Sequence, residues 1–167
     1  MADLHDVPMG AYNVRANGGL AGRNNTANID IVSKEDGSGI DIHIKLGTRR
    51  ESVHIPVVLS QSGLKETVYN DFFVGEGSDV TIVAGCGIDN CGVQDSEHDG
   101  VHRFYVGKNT KVKYIRQCTT QFPEALRPMH ELAHDERRPW SVEQQQEPRH
   151  PALGKIHIIH SIENLPH

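Results

Sequence analysis

The chain has 167 residues, room for one ordinary domain rather than two large ones. Its 17 Lys and Arg against 22 Asp and Glu leave a formal net charge of −5, which argues against a nucleic-acid binder that works by neutralising phosphates. No apolar run reaches the length of a membrane span, and the opening stretch Met1–Val14 carries acidic residues with no apolar core, so neither a membrane partner nor a secretory leader is expected; the three cysteines, an odd number, suit thiols in the cytoplasm.

Taken in chain order, the first 115 residues read as short strands divided by glycine-bearing turns. Ile29-Asp30-Ile31-Val32 alternates apolar and polar, Glu35–Gly39 turns the chain, and Ile40-Asp41-Ile42-His43-Ile44 alternates again. Val53–Leu59, Phe72–Val74, Val80–Val83, Phe104–Val106 and Val112–Ile115 follow. Period two bounded by Gly, Asn and Ser is the strand signal. Pro56, lacking an N–H, suits a strand start, an edge or a bulge better than a paired central position. Helical spacing is hard to find before residue 120. The glycines at 18, 19 and 22 and at 37 and 39 read as turns rather than phosphate loops, because no helix follows them.

Residues 71–83, DFFVGEGSDVTIV, are echoed by residues 103–115, RFYVGKNTKVKYI, at an offset of 32. Phe72 matches Phe104, Phe73 matches Tyr105, and Val80 matches Val112. Glu76 against Lys108 and Asp79 against Lys111 are charge swaps, as outward positions allow. A looser third copy runs from Ile44 to Ile55. Units that recur at this spacing point to a solenoid whose coils share one narrow core, which also suits an apolar fraction of only 37%. An antiparallel sandwich with similar hairpins is the competing arrangement.

The composition breaks near residue 116. Fifteen of the 16 glycines precede it, while six of the 8 prolines and six of the 11 histidines lie beyond residue 120. Residues 1–115 and 116–167 are therefore read as separate units.

The segment from Glu51 to Ile115, with its pieces VHIPV, VYNDF, TIVAGCGI and HDGVHRFYVG, closely resembles the SufB/SufD family, the scaffold subunits of the SUF system of iron–sulfur cluster assembly. The earlier stretch GAYNVRANGGLAGRNNTANIDIV is similar to the start of short members of that family. The resemblance implies a β-helix core, a SufC-type ATPase and a second SufB/SufD-type subunit as partners, and iron or an iron–sulfur cluster as a transient guest. It implies a scaffold or binding protein rather than an enzyme. The expected fold class is all-β: a partial right-handed parallel β-helix with an irregular, partly helical C-terminal tail. Ile42, Ile44, Val53, Ile55, Phe72, Val74, Val80, Ile82, Phe104, Val106, Val112 and Tyr114 are its expected inward residues.

The resemblance ends at Ile115. Family members continue with further coils, where the residues best associated with cluster building lie, and no position here matches those. Residues 1–115 thus read as a truncated SufBD-like core and 116–167 as an unrelated tail. A frameshifted or degraded gene would account for it, leaving a non-functional remnant; so would a genuine rearrangement.

Two constellations could carry chemistry. The first is Cys86-x4-Cys91-x6-His98-x3-His102, whose thiols and imidazoles are ligands that iron, zinc and iron–sulfur clusters prefer. Its spacing fits no standard zinc or ferredoxin pattern. The alternative makes Cys86 a small buried hydrophobe at a strand end and gives His98 and His102 hydrogen-bonding roles. The second is His130-Glu131-Leu132-Ala133-His134. On a helix over about 128–136, His130 and His134 would share one face and bind zinc, with Glu131 as general base. This supports a rival function, a small zinc-dependent metallopeptidase. Pro128 and Pro139 confine that helix, and a third ligand would have to come from Glu143, Glu147, His150 or the late histidines. Lys155–Ile162 reads as a strand able to cover an open end of the solenoid.

Overall fold

The computed structural model of the chain describes residues 10–88, 93–120, 130–133 and 154–164, with side chains described through residue 116. The strands are β1 (Ala11–Ala16), β2 (Gly19–Asn24), β3 (Ile29–Ser33), β4 (Gly39–Ile44), β5 (Arg49–Leu59) and β6 (Lys65–Val74). They continue as β7 (Asp79–Ile88), β8 (Ser96–Val106), β9 (Lys111–Thr120), β10 (His130–Ala133) and β11 (Gly154–Asn164). One sheet has the order β10-β9-β7-β5-β1-β2 and the other β11-β8-β6-β4-β3. Among the described residues there is no helix, and none long and apolar enough to cross a membrane.

The expected fold class is corrected by this pairing. Instead of an all-parallel, right-handed β-helix with a partly helical tail, the chain forms two sheets of mixed parallel and antiparallel strands. β1/β5, β5/β7 and β7/β9, and β4/β6, β6/β8 and β8/β11, run parallel; β1/β2, β3/β4 and β9/β10 run antiparallel. The cause is local. Only Asn17 and Gly18, at φ 48° and 80°, connect β1 to β2, and a turn closed by Gly37 N–H on the Lys34 carbonyl connects β3 to β4. Connections this short close a hairpin and cannot carry a parallel crossover. The helix expected over 128–136 is likewise corrected: residues 130–133 are strand β10, with His130 opposite Arg116 and Ala133 opposite Lys113.

The 32-residue echo becomes register. Every β6–β8 pair, from Lys65↔Glu97 to Val74↔Val106, and every β7–β9 pair, from Asp79↔Lys111 to Ile88↔Thr120, keeps that offset. Phe72 stacks on Phe104 with ring centroids 4.6 Å apart and planes within 7°. Val80 lies opposite Val112. The looser third copy also takes its place, Ile44 opposite Val74 and Val53 opposite Ile82, with Arg50 at φ 59° absorbing one extra residue. The inward residues read from the sequence are buried, except Val106, which is partly buried and packs against the same core. Burial of about 1.5–3 kcal/mol for each large apolar side chain is what holds the two sheets face to face.

The turns stack as well. Gly47 N–H donates to the Glu76 carbonyl at 2.8 Å, and Gly77 N–H to the Lys108 carbonyl at 2.9 Å. At Gly75 a Cβ would stand 2.4 Å from the Leu46 backbone nitrogen, so the close approach of successive turns requires glycine there. Beneath the turns, the buried hydroxyls of Thr48 and Ser78 both donate to the Lys45 carbonyl, at 2.7 and 3.0 Å, and that of Thr110 donates to the Gly75 carbonyl at 3.1 Å.

Pro56 differs from its expected place. It lies inside β5, between β1 and β7, and pairs with Gly85 of β7. On the β1 side the ladder holds at Tyr12↔His54 and Arg15↔Val57 but not between them, where a proline cannot donate.

Candidate functional site: a polar interior between the sheets

Alternation sends every second side chain of β6 and β8 inward. Toward the C-terminal ends of these strands the inward residues are Phe72, Val74 and Phe104, which are apolar and buried. Toward the N-terminal ends Glu66, Asn70, His98 and His102 share the inward side with Val68, Ser96 and Gly100. The interior therefore becomes more polar along the strands, with Val68 a buried apolar residue among the polar ones.

Glu66 accepts a hydrogen bond from Arg15 Nε of β1 at 3.0 Å through Oε2, and its Oε1 lies 2.8 Å from Nδ1 of His98. Their side chains are 7% exposed for Glu66, 4% for His98 and 24% for Arg15, so this cluster bridges the sheets away from bulk water. Burial alone would push the Glu66 carboxyl up. The hydrogen bonds from His98 and Arg15 and the Arg15 charge outweigh burial and hold it below its ordinary value.

One rung along, His102 lies between two polar partners. Its Nε2 is 3.3 Å from Asn70 Nδ2 and its Nδ1 is 2.8 Å from the Tyr114 hydroxyl. With the Asn70 amide donating to Nε2, this suits the tautomer that carries hydrogen on Nδ1. All three residues are buried. Asn13, Arg15 and Asn70 also line a small pocket against Ile40, Ile55 and Val68. Asn13 Oδ1 is in turn held by Arg23 Nε at 2.9 Å. The polar groups that face this pocket are those of Asn13, Arg15 and Asn70, while the two imidazoles and the Glu66 carboxylate are engaged with their own partners.

The four ligands expected from the sequence are distributed as follows. Cys86 is on β7, in the opposite sheet from His98 and His102, and is buried with Val57, Leu59 and Ile88 in a satellite apolar cluster. Cys91 lies outside the described residues. His98 and His102 are on β8, engaged with Glu66 and with Asn70 and Tyr114. Among the described residues no three His, Cys, Asp or Glu side chains are disposed to hold a metal ion. In the second constellation, His130 and Glu131 are on β10 and His134 lies outside the described residues.

Arg15, Glu66, Asn70 and Tyr114 did not figure among the expected site residues. Their signal was parity: once Phe72 points inward, Asn70 and Glu66 on the same strand must do so too. Arg15 had no such marker, because β1 was not read as a strand.

On the outer face of the second sheet, His43, Phe73 and Tyr105 stack at centroid distances of 4.8 Å. Beside them Lys34 bridges Asp41 and Asp71, and Arg103 Nε lies 3.2 Å from Asp71 Oδ1, an ion pair without hydrogen-bond alignment. No family model, curated protein or solved structure matches the chain.

Proposed function

We propose that the chain is a scaffold component of iron–sulfur cluster assembly of the SufB/SufD kind, a binding protein rather than an enzyme, acting in the cytoplasm. Its partners in this reading are a SufC-type ATPase, which would hydrolyse the ATP, and a second SufB/SufD-type subunit. Iron and sulfide would be cargo of the assembly; Cys86 lies in the opposite sheet from His98 and His102, so these residues do not form one ligand set within the described part of the chain.

The observation that carries this reading is the register of the segments that resemble the family. DFFVG on β6 lies rung upon rung with RFYVG on β8, Phe72 against Phe104 and Val74 against Val106. Such stacking gives a rigid frame with outer strands at both ends of each sheet. β2 and β11 are two of these outer strands. At β3, by contrast, the side chains of Thr26 and Asn25 accept from the backbone N–H groups of Ile29 and Ile31. An outer strand offers backbone donors and acceptors to a partner strand.

Co-expression with a SufC-type ATPase and a SufB/SufD-type subunit tests the reading. Co-elution of the three chains, with iron and sulfide retained after anaerobic reconstitution, is the expected result. Failure to co-elute contradicts it. Peptide hydrolysis that disappears in Glu131→Ala would replace it with the zinc peptidase.

A further inference from the structure

We propose that the cavity bounded by Asn13, Arg15 and Asn70 is a binding site for one ordered water molecule, which joins the Glu66–His98 and His102–Tyr114 clusters into a single hydrogen-bonded network. The cavity lies between the sheets. Asn13 and Arg15 approach it from β1 and Asn70 from β6, with Ile40, Ile55 and Val68 as apolar walls. It falls where β1 is least regularly paired. On the β2 side the register shifts between Val14 and Arg15, and on the β5 side the ladder lapses opposite Pro56. A bulge bends its strand, which leaves room beneath β1 that regular packing would fill. The cavity offers about 20 Å³ to a water centre. One water needs roughly 10–15 Å³ on this measure, so there is room for one and none for a larger guest.

Each polar neighbour is only partly engaged. Arg23 Nε donates to Asn13 Oδ1, Arg15 Nε donates to Glu66, and Asn70 Nδ2 donates to His102. Asn13 Nδ2, the Arg15 Nη groups and Asn70 Oδ1 remain, and the described residues supply them with no hydrogen-bond partner. Asn13 and Asn70 are buried, and buried polar groups take a partner from protein or from water. A water accepts from Asn13 Nδ2 and from an Arg15 Nη and donates to Asn70 Oδ1. That makes about three bonds, the usual number for an interior water. Charge decides between water and an ion. Arg15 is already neutralised by Glu66, so nothing calls for an anion, and no carboxylate lines the cavity to hold a cation. The water ties Arg15 of one sheet to Asn70 of the other, and through them Glu66 to His102. The polar interior is then one unit rather than two. This inference is independent of the proposed function.

The test observes water in the full chain. Methyl-labelled protein, in mildly acidic buffer where guanidinium exchange is slow, is measured for nuclear Overhauser transfer from water to Ile40, Ile55 and Val68. Cross-peaks at these methyls are expected, with the sign of a water held for longer than the protein takes to tumble. The exposed Leu46 is the surface control. Val68→Ile adds a methylene, close to a water in volume, and the folded variant should lose the cross-peaks at Ile40 and Ile55. Assigned wild-type methyls without cross-peaks would overturn the proposal, and xenon shifting them would identify the cavity as dry. Loss of the cross-peaks on adding sodium bromide, but not sodium sulfate, would identify a halide site and overturn it as well. So would cross-peaks that persist unchanged in Val68→Ile.

Discussion

Glu66 is a carboxylate kept charged in the interior by two neighbours, Arg15 and His98, so its removal strands both. Glu66→Ala is expected to cost about 3 kcal/mol of stability, because an unpartnered cation is left between the sheets. Glu66→Gln, which keeps the shape and the carbonyl acceptor, should cost about 1 kcal/mol. The pH dependence follows from the direction of the shift. The folded carboxyl sits below its ordinary value of 4.5, so its contribution is complete above that pH and fades as pH falls through the depressed folded value. Urea unfolding of the wild type at descending pH should therefore steepen below about 4.5, the reference value, and Glu66→Gln should flatten that limb. Equal slopes in the two proteins would show that Glu66 is not held in this way. At this scale the sequence was half legible. His98 and His102 stand out by their chemistry, whereas the partners that fix them depend on strand parity and on β1, whose residues alternate too weakly to mark a strand.

At the scale of elements, the turns between rungs decide how closely the strands can stack. Gly75 and Gly77 illustrate two different demands. An added Cβ at Gly75 meets backbone at 2.4 Å, whereas at Gly77 nothing lies within 4 Å and only its φ of +69° opposes a side chain. Gly75→Ala should therefore cost about 3 kcal/mol or more, and Gly77→Ala about 1–2 kcal/mol. Chemical denaturation of the two variants tests the order; equal costs would contradict the stacked-turn geometry. Asn109, at φ 52°, holds the corresponding place in the next turn, and its side chain tolerates that conformation. Most strand centres were legible because Ile, Val and Phe alternate so regularly. The hairpins are not, since glycines such as Gly18 and Gly37 mark a turn in the sequence without fixing the direction of the strand that follows. The stretch at 130–133 was read by a motif that needs a helix, whereas its backbone pairs with β9. Lys155–Ile162 was read as a strand, and β11 covers it from Gly154 to Asn164.

For the whole molecule, the internal echo is the organising feature. It brings Phe72 over Phe104, Asn70 beside His102 and Glu66 beside His98, so the same offset builds both the apolar core and the polar interior. A double-mutant cycle with Phe72→Leu and Phe104→Leu should reveal a coupling of about 1 kcal/mol beyond the separate losses. Additive losses would mean that the rings do not meet. The parallel order of the stacked rungs was legible from the repeat, but the mixed character of the sheets was not, because it is set at their ends, by strands that have no copy in the echo. The most direct measurement is a nuclear Overhauser spectrum of the protein with labelled aromatic rings. Rings whose centroids lie 4.6 Å apart must exchange magnetisation strongly, so a cross-peak between Phe72 and Phe104 is predicted. Assigned rings with no such cross-peak, each contacting other side chains instead, would contradict the account.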